Sequence, residues 1–169
     1  MKMIETERLQ LKLISTEDAS FILELYNTPT FIHYIGDKNI RSIEDAENYI
    51  KEKFIPQAEK HHFGNYVIIP KEDQKSIGAV GIYVREGMEI PDIGFAFLPE
   101  FEKKGYAYES ASKLISVAFN EFNLKKISAF TTKDNISSQN LIQKIGLKYQ
   151  ETKVLPGFEE EMRYYLLEK

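Results

Sequence analysis

One stretch limits the fold more than any other. Residues 105–122 carry Ala107, Ala111, Leu114, Ile115, Ala118, Phe119 and Phe122 at helical spacing, directly after a run of strand-like segments. Such an apolar stripe needs a flat apolar surface to cover, and a sheet supplies one. The strands before it are residues 64–69, then 76–84, thinned by Gly78 and Gly81, then 90–98. Pro70-Lys71-Glu72-Asp73 and Glu86-Gly87-Met88 separate them as turns, which makes an antiparallel meander.

The flanks extend this pattern. Residues 6–14 alternate, with Leu9, Leu11 and Leu13 on one face and Arg8, Gln10 and Lys12 on the other, a half-buried strand. Ser15 and Asp18 form a capping pattern ahead of Ala19, Phe21, Ile22 and Leu25. Residues 27–41, with Pro29 and Gly36, are expected to be a loop or broken turn. Ser42-Ile43-Glu44-Asp45 opens a second helix, ending near Pro56 or shortly beyond. After the long helix come a strand at 126–132, a short helix at 135–144 stopped by Gly146, and strands at 147–154 and 162–167. The order β-α-α-β-β-β-α-β-α-β-β predicts an α/β fold with a late, parallel, right-handed β-α-β step. No repeat, low-complexity tract or linker divides residues 1–169, so a single domain is expected.

Bulk properties exclude several functions. A net charge of −4 is unlike the basic footprint of a nucleic-acid binder. Apolar residues are scattered, and the start turns polar at once, so neither a membrane span nor a signal peptide is expected. The absence of cysteine removes disulfides and a thiol nucleophile and suits a reducing cytoplasm, although a cysteine-free chain would also survive outside. His33, His61 and His62 lack metal-ligand spacing, so no metal site is expected.

The junction between strand 90–98 and the long helix is where chemistry enters. Lys103, Lys104, Gly105, Tyr106 and Ala107 open the helix. A helix start has unpaired N–H groups and a positive dipole end, and Gly105 lets the main chain approach an anion closely. An ordinary strand-to-helix turn with solvated lysines fits the same residues.

The wider pattern separates the two readings. Thr6-Glu7-Arg8-Leu9-Gln10-Leu11-Lys12, Asp92-Ile93-Gly94-Phe95 with Pro99-Glu100-Phe101, and Gly105-Tyr106-Ala107-Tyr108-Glu109-Ser110 occur in that order. Asn135-Ile136-Ser137-Ser138 and Lys144-Ile145-Gly146-Leu147 follow. Together they resemble the GNAT superfamily of N-acetyltransferases, in its ribosomal-protein-acetylating (RimJ/RimL-type) branch, from the first strand to the last. The resemblance implies a mixed, mostly antiparallel sheet of about seven strands, splayed in the middle, with about four helices around it.

It also implies acetyl-CoA as cosubstrate, with its pantetheine arm added like a strand to the exposed backbone of Phe97 and Leu98. The pyrophosphate would sit on residues 103–107, and Asn135 and Ser138 would point towards pantetheine and sulfur. The sequence departs from the family at Glu102, expected to face solvent, and at Lys103, which stands where glycine is usual. Lysine is less able than glycine to take positive φ, so ordinary backbone angles are expected at Lys103.

Roles follow for the remaining residues. Asp92 stands where the branch places a glutamate beside the reaction, and is either the base, direct or water-relayed, or a solvated strand-end carboxylate. The oxyanion would meet a backbone N–H near Leu98 or Phe97. Ile142 stands where many members carry the tyrosine that protonates the thiolate, leaving Ser138 as donor. Ser138 is otherwise a first-turn serine bonding backbone. Phe31, His33 and Tyr34 fall in the segment that walls the acceptor pocket, although aromatics there are equally core and His33 is either a base or a bystander. Glu109 is taken as structural. The expected reaction is direct acetyl transfer to a primary amine, a protein N-terminus or a small molecule, in a ternary complex. A homodimer fits the family, and a non-catalytic acyl-CoA-binding or regulatory member is the alternative.

Overall fold

The computed structural model describes residues 3–169. Met1 and Lys2, part of the polar start, lie outside the described residues. Eight strands form one sheet: β1 (Ile4–Glu5), β2 (Leu9–Leu13), β3 (Asn65–Pro70), β4 (Gly78–Tyr83), β5 (Asp92–Phe97), β6 (Lys126–Thr132), β7 (Lys148–Val154) and β8 (Glu161–Glu168). Their order is β1-β2-β3-β4-β5-β6-β8-β7. Every neighbouring pair is antiparallel except β5 and β6, which are parallel. The extra strand relative to expectation is β1, which folds back so that Ile4 faces Leu11 and Glu5 faces Gln10.

Alternation along the strands divides the core into two layers. Tyr66 and Ile68 of β3, with Val80 and Ile82 of β4, face α5 (Tyr106–Asn120) and α6 (Ile136–Lys144). Val67 and Ala79, one step out of phase, face α1 (Ala19–Tyr26) and its neighbours through Ile22, Leu25, Ile50 and Phe54. Both faces of β3 and β4 are therefore buried, as their nearly unbroken apolar sequence requires.

The segment after α1 is more ordered than expected. Pro29–Tyr34 forms α2, started by the Thr28 hydroxyl, which accepts from the Phe31 N–H, with Pro29 pre-set for the first turn. The next helix does not stop at Pro56. α3 (Ile43–Tyr49) passes through a π-helical turn (Ile50–Phe54) into α4 (Ile55–His61). Pro56 in an unbroken α-helix would press on the Glu52 carbonyl. The widened turn, in which the Ile55 N–H reaches back to the Ile50 carbonyl, relieves that clash. No helix among the described residues is long and apolar enough to cross a membrane.

A polar clamp joins the first strand pair to α5. Glu109 Oε1 accepts from the Thr6 hydroxyl at 2.7 Å and the Arg8 backbone N–H at 2.8 Å. Its Oε2 accepts from Arg8 Nε at 2.7 Å. Burial pushes the Glu109 carboxyl up, but these bonds outweigh it and hold the group below the usual carboxylate range. Its ionised form therefore contributes in full above the ordinary carboxylate value, and the contribution is lost as pH falls through the lower folded-state value. Glu109→Gln should cost about 1–2 kcal/mol near neutral pH, hydrogen bonds to a charge being discounted for partial exposure. Urea melts should show that difference at about pH 7 and its decline as pH falls below the ordinary carboxylate range.

Candidate active site

β5 is paired with β4 along its whole length, from Asp92 opposite Tyr83 to Phe97 opposite Gly78. On its other side, among the described residues, it meets β6 at one position, Asp92 opposite Ser128. Ser128 closes that junction: its N–H donates to the Pro91 carbonyl at 2.8 Å and its hydroxyl to the Ile90 and Pro91 carbonyls. Beyond it the strands part, and the sheet opens into a cleft of about 1020 Å³.

The opening leaves one edge of β5 available. The Leu98 N–H donates to the Ile77 carbonyl at 3.0 Å, and the Leu98 carbonyl accepts from Phe101. In an antiparallel ladder successive residues point their backbone groups to opposite sides, so those of Phe95 and Phe97 are directed towards the split. This corrects the expectation for Leu98, whose backbone is fully used and which is buried away from the cleft. Gly78 permits the close β4–β5 pairing: a Cβ there would lie 2.7 Å from the Ala96 carbonyl oxygen and the Phe97 ring.

At the end of β5 the chain makes a short 3₁₀ turn (Pro99–Phe101) and enters the loop before α5. Lys103 has φ +61° and Gly105 has φ +81°. The expected ordinary angles at Lys103 are therefore wrong: the lysine takes the left-handed conformation itself, strained for a side chain with a Cβ. Gly105 caps α5, whose first-turn N–H groups lack helical partners. Arg8 underpins the loop, donating to the Lys104 carbonyl at 3.2 Å and lying 4.5 Å over the Tyr106 ring.

Phe97, Lys103, Gly105, Ala107, Asn135 and Ser138 line the cleft. Lys104 and Tyr106 do not; the Lys104 ammonium lies 5.6 Å over the Phe101 ring, and Tyr106 packs beneath Arg8. Glu102 is exposed, as expected, yet its position borders the cleft.

Asn135 caps α6, its Oδ1 accepting from the Ser138 N–H at 3.2 Å. Buried Gln139 ties this start to β6 by donating to the Thr132 and Lys133 carbonyls. Ser138 is thus held through its backbone, and its side chain stands at the cleft wall beside apolar Leu141 and Ile142.

Asp92 is not a solvated strand-end carboxylate. It is 3% exposed, and Arg85 grips both its oxygens, Nε to Oδ1 at 2.7 Å and Nη2 to Oδ2 at 3.2 Å. Burial pushes the Asp92 carboxyl up, and Arg85 opposes this without cancelling it. The guanidinium lies 5.0 Å from the Tyr83 ring and 5.1 Å from the Phe130 ring. Burial also pushes the Tyr83 and Tyr26 phenols up, so both stay protonated donors.

Arg85 escaped the sequence reading. It lies just past the end of β4, and the register Tyr83–Asp92 alone brings its reach to the carboxylate.

The acceptor-side residues fall into two groups. Phe31 is buried and stacks on Tyr26 at 4.1 Å, so it is core and cleft wall at once. Tyr34 also lines the cleft. His33 is not among the lining residues: it is exposed and hydrogen-bonds Asp134, which does line the cleft, at 3.2 Å. Among the described residues no group of three His, Cys, Asp or Glu side chains could hold a metal ion.

Comparisons with known proteins agree with this geometry. The chain is 30% identical over 146 residues to the uncharacterized N-acetyltransferase YoaA of Bacillus subtilis (strain 168), covering 86% of this chain and 82% of that protein. An acetyltransferase (GNAT family) structure from Bacillus anthracis superposes with a TM-score of 0.80 at 24% identity, over 99% of this chain and 98% of that one. RimL, a ribosomal alpha-N-protein acetyltransferase solved in complex with coenzyme A, superposes with a TM-score of 0.84 at 14% identity, over 99% and 98% of the chains. A family model for the acetyltransferase (GNAT) domain matches residues 8–148, and with the opened sheet and helix-capping loop this chain belongs to the GNAT family of acetyltransferases.

Proposed function

We propose that this protein moves the acetyl group of acetyl-CoA directly to a primary amine, both bound in the cleft between β5 and β6. The observation that carries this is the strand edge at Phe95 and Phe97, left open beside a left-handed, glycine-capped helix start. An amide-bearing pantetheine arm can add to that edge as a strand, and the first-turn N–H groups of α5 can donate to the pyrophosphate. RimL, which shares the fold, is a coenzyme A complex, and its ribosomal substrate class makes a protein N-terminal amine one acceptor. A small-molecule amine is the other.

The chemistry then divides among few residues. The neutral amine attacks the thioester carbonyl carbon, and the oxyanion is met by the Phe97 N–H, Leu98 being committed to Ile77. The ammonium proton leaves through a water to Asp92. Arg85 occupies both carboxylate oxygens and holds the group in place, while burial raises its proton affinity towards the working range. As the carbon–sulfur bond breaks, the thiolate takes a proton supplied through the Ser138 hydroxyl, Ser138 lining the cleft with Leu141 and Ile142. No covalent acetyl-enzyme is formed.

Thiol release from acetyl-CoA across a panel of amines tests the reaction; cofactor binding without amine-dependent release would overturn it. Asp92→Asn should lower kcat by about 100-fold, the low end of a general base's contribution. Activity should rise as pH rises through the Asp92 pKa, with the acidic limb above the ordinary aspartate range, and the variant should lose that limb. Gly105→Val should weaken acetyl-CoA binding about tenfold, because a branched side chain cannot hold φ +81° without moving the loop. Lys103→Gly should stabilise the fold by about 0.5–1 kcal/mol while changing acetyl-CoA affinity less than about threefold, as expected where backbone does the binding. Thermal melts and calorimetric titration check the pair.

A further inference from the structure

One part of the cleft lining, gathered around Lys38, has a charge pattern at odds with the acidity of the whole chain. Lys38, Lys53 and Arg85 line it, arriving from the loop after α2, the π-helical turn and the residues past β4. Three carboxylates line the cleft: Asp92, beside these cations, is paired with Arg85, Asp134 is hydrogen-bonded to His33, and Glu102 borders the helix-capping loop. Asp37, next to Lys38 in sequence, is paired with Arg41. Among the described residues neither Lys38 nor Lys53 forms an ion pair. The three cations sense one another: the Lys38 pKa is lowered by desolvation first and then by the charges of Arg85 and Lys53.

The polar groups around them are donors as well. Tyr26, Tyr49 and Tyr83 line the same wall, and burial raises all three phenols. Gln57 cannot serve as a free acceptor there, since its amide is spent on the Ile82 carbonyl and the Val84 N–H. A wall of ammonium, guanidinium and phenol groups offers hydrogen-bond donors in excess. A polyamine or aminoglycoside would bring more ammonium donors and like charge, while the net charge of −4 is spread elsewhere on the molecule.

We infer that the acceptor is an amine carrying its own anionic group, a carboxylate or a phosphate, which sits on Lys38 and Lys53 while the amine faces Asp92. This rests on the acetyl-transfer reading of the cleft. It narrows the acceptor from any cationic amine to one with paired charges, and the two lysines become specificity residues. Arg85 stays with Asp92 and borders the anion without being free to grip it in a bidentate fork.

The test compares phosphoethanolamine and aspartate with ethanolamine and putrescine, and an acidic with a basic peptide N-terminus. Turnover is followed by thiol release, and binding by calorimetry to the coenzyme A complex. The anion-bearing amines should show kcat/KM at least about tenfold above ethanolamine and putrescine, mainly through KM. Phosphoethanolamine, aspartate and the acidic peptide separate the phosphate, carboxylate and polypeptide sources of the group. Lys38→Gln and Lys53→Gln should each reduce the preference by about three- to tenfold, and Lys53→Glu should shift it towards putrescine. Retained acetyl-CoA affinity reports that each variant is folded. A wild-type preference for putrescine or the basic peptide, or a ratio unmoved in all three variants, overturns the inference. Lysine-dependent anion binding without turnover on any amine supports the anion site and overturns the acetyl-transfer reading instead.

Discussion

A single pairing between β5 and β6 governs what the molecule can do. β5 is fixed to β4 by a full antiparallel ladder, yet among the described residues pairs with β6 only where Asp92 meets Ser128. A sheet in which both ladders ran to the end of β5 would spend every backbone group of Phe95 and Phe97 on β6. Parting after one pair leaves those groups directed at a cleft, where a ligand can serve as the missing strand. Ser128 holds the apex of the split with its N–H and hydroxyl, both turned to the carbonyls just before β5.

Two charged clusters brace the two ends of that cleft. At the helix end, Thr6, Arg8 and Glu109 join the start of β2 to the first turn of α5, and Arg8 also holds the Lys104 carbonyl. The loop that turns through left-handed Lys103 and Gly105 is thus fastened from below. Its strain is compensated by contacts outside it. At the apex, Arg85 pins Asp92 and stacks between Tyr83 and Phe130. A buried carboxylate without that partner would be neutral; with it, the carboxylate is oriented and stays titratable.

The element pattern was largely legible in the chain. The alternation at Leu9 and Leu11, the capping residues Ser42 and Asn135, and the stripe on α5 all act locally, so residue order alone reveals them. The misses share a different cause. Thr28-Pro29 is a helix start hidden among loop signals, and the helix expected to end near Pro56 or shortly beyond runs on to His61 because a π-helical turn absorbs the proline. The eighth strand, β1, is only two residues long and exists because β2 offers it a partner.

For the site, the chain order carried the helix-opening loop, Gly105 and the cap at the start of the 135–144 helix, because each follows from a turn or a cap, while Asp92 came from the family resemblance. Tertiary structure alone decided which backbone groups remain free and which charges pair. The Leu98 N–H was spent on Ile77, His33 was paired with Asp134 at the cleft's border, and Arg85 reached Asp92 across a hairpin. It also gathered Lys38, Lys53 and Arg85 from three separate segments onto one wall. Hydrogen-bond vacancy and electrostatic environment depend on neighbours brought together across the sheet, whereas caps and periodicity depend on residues a few positions apart.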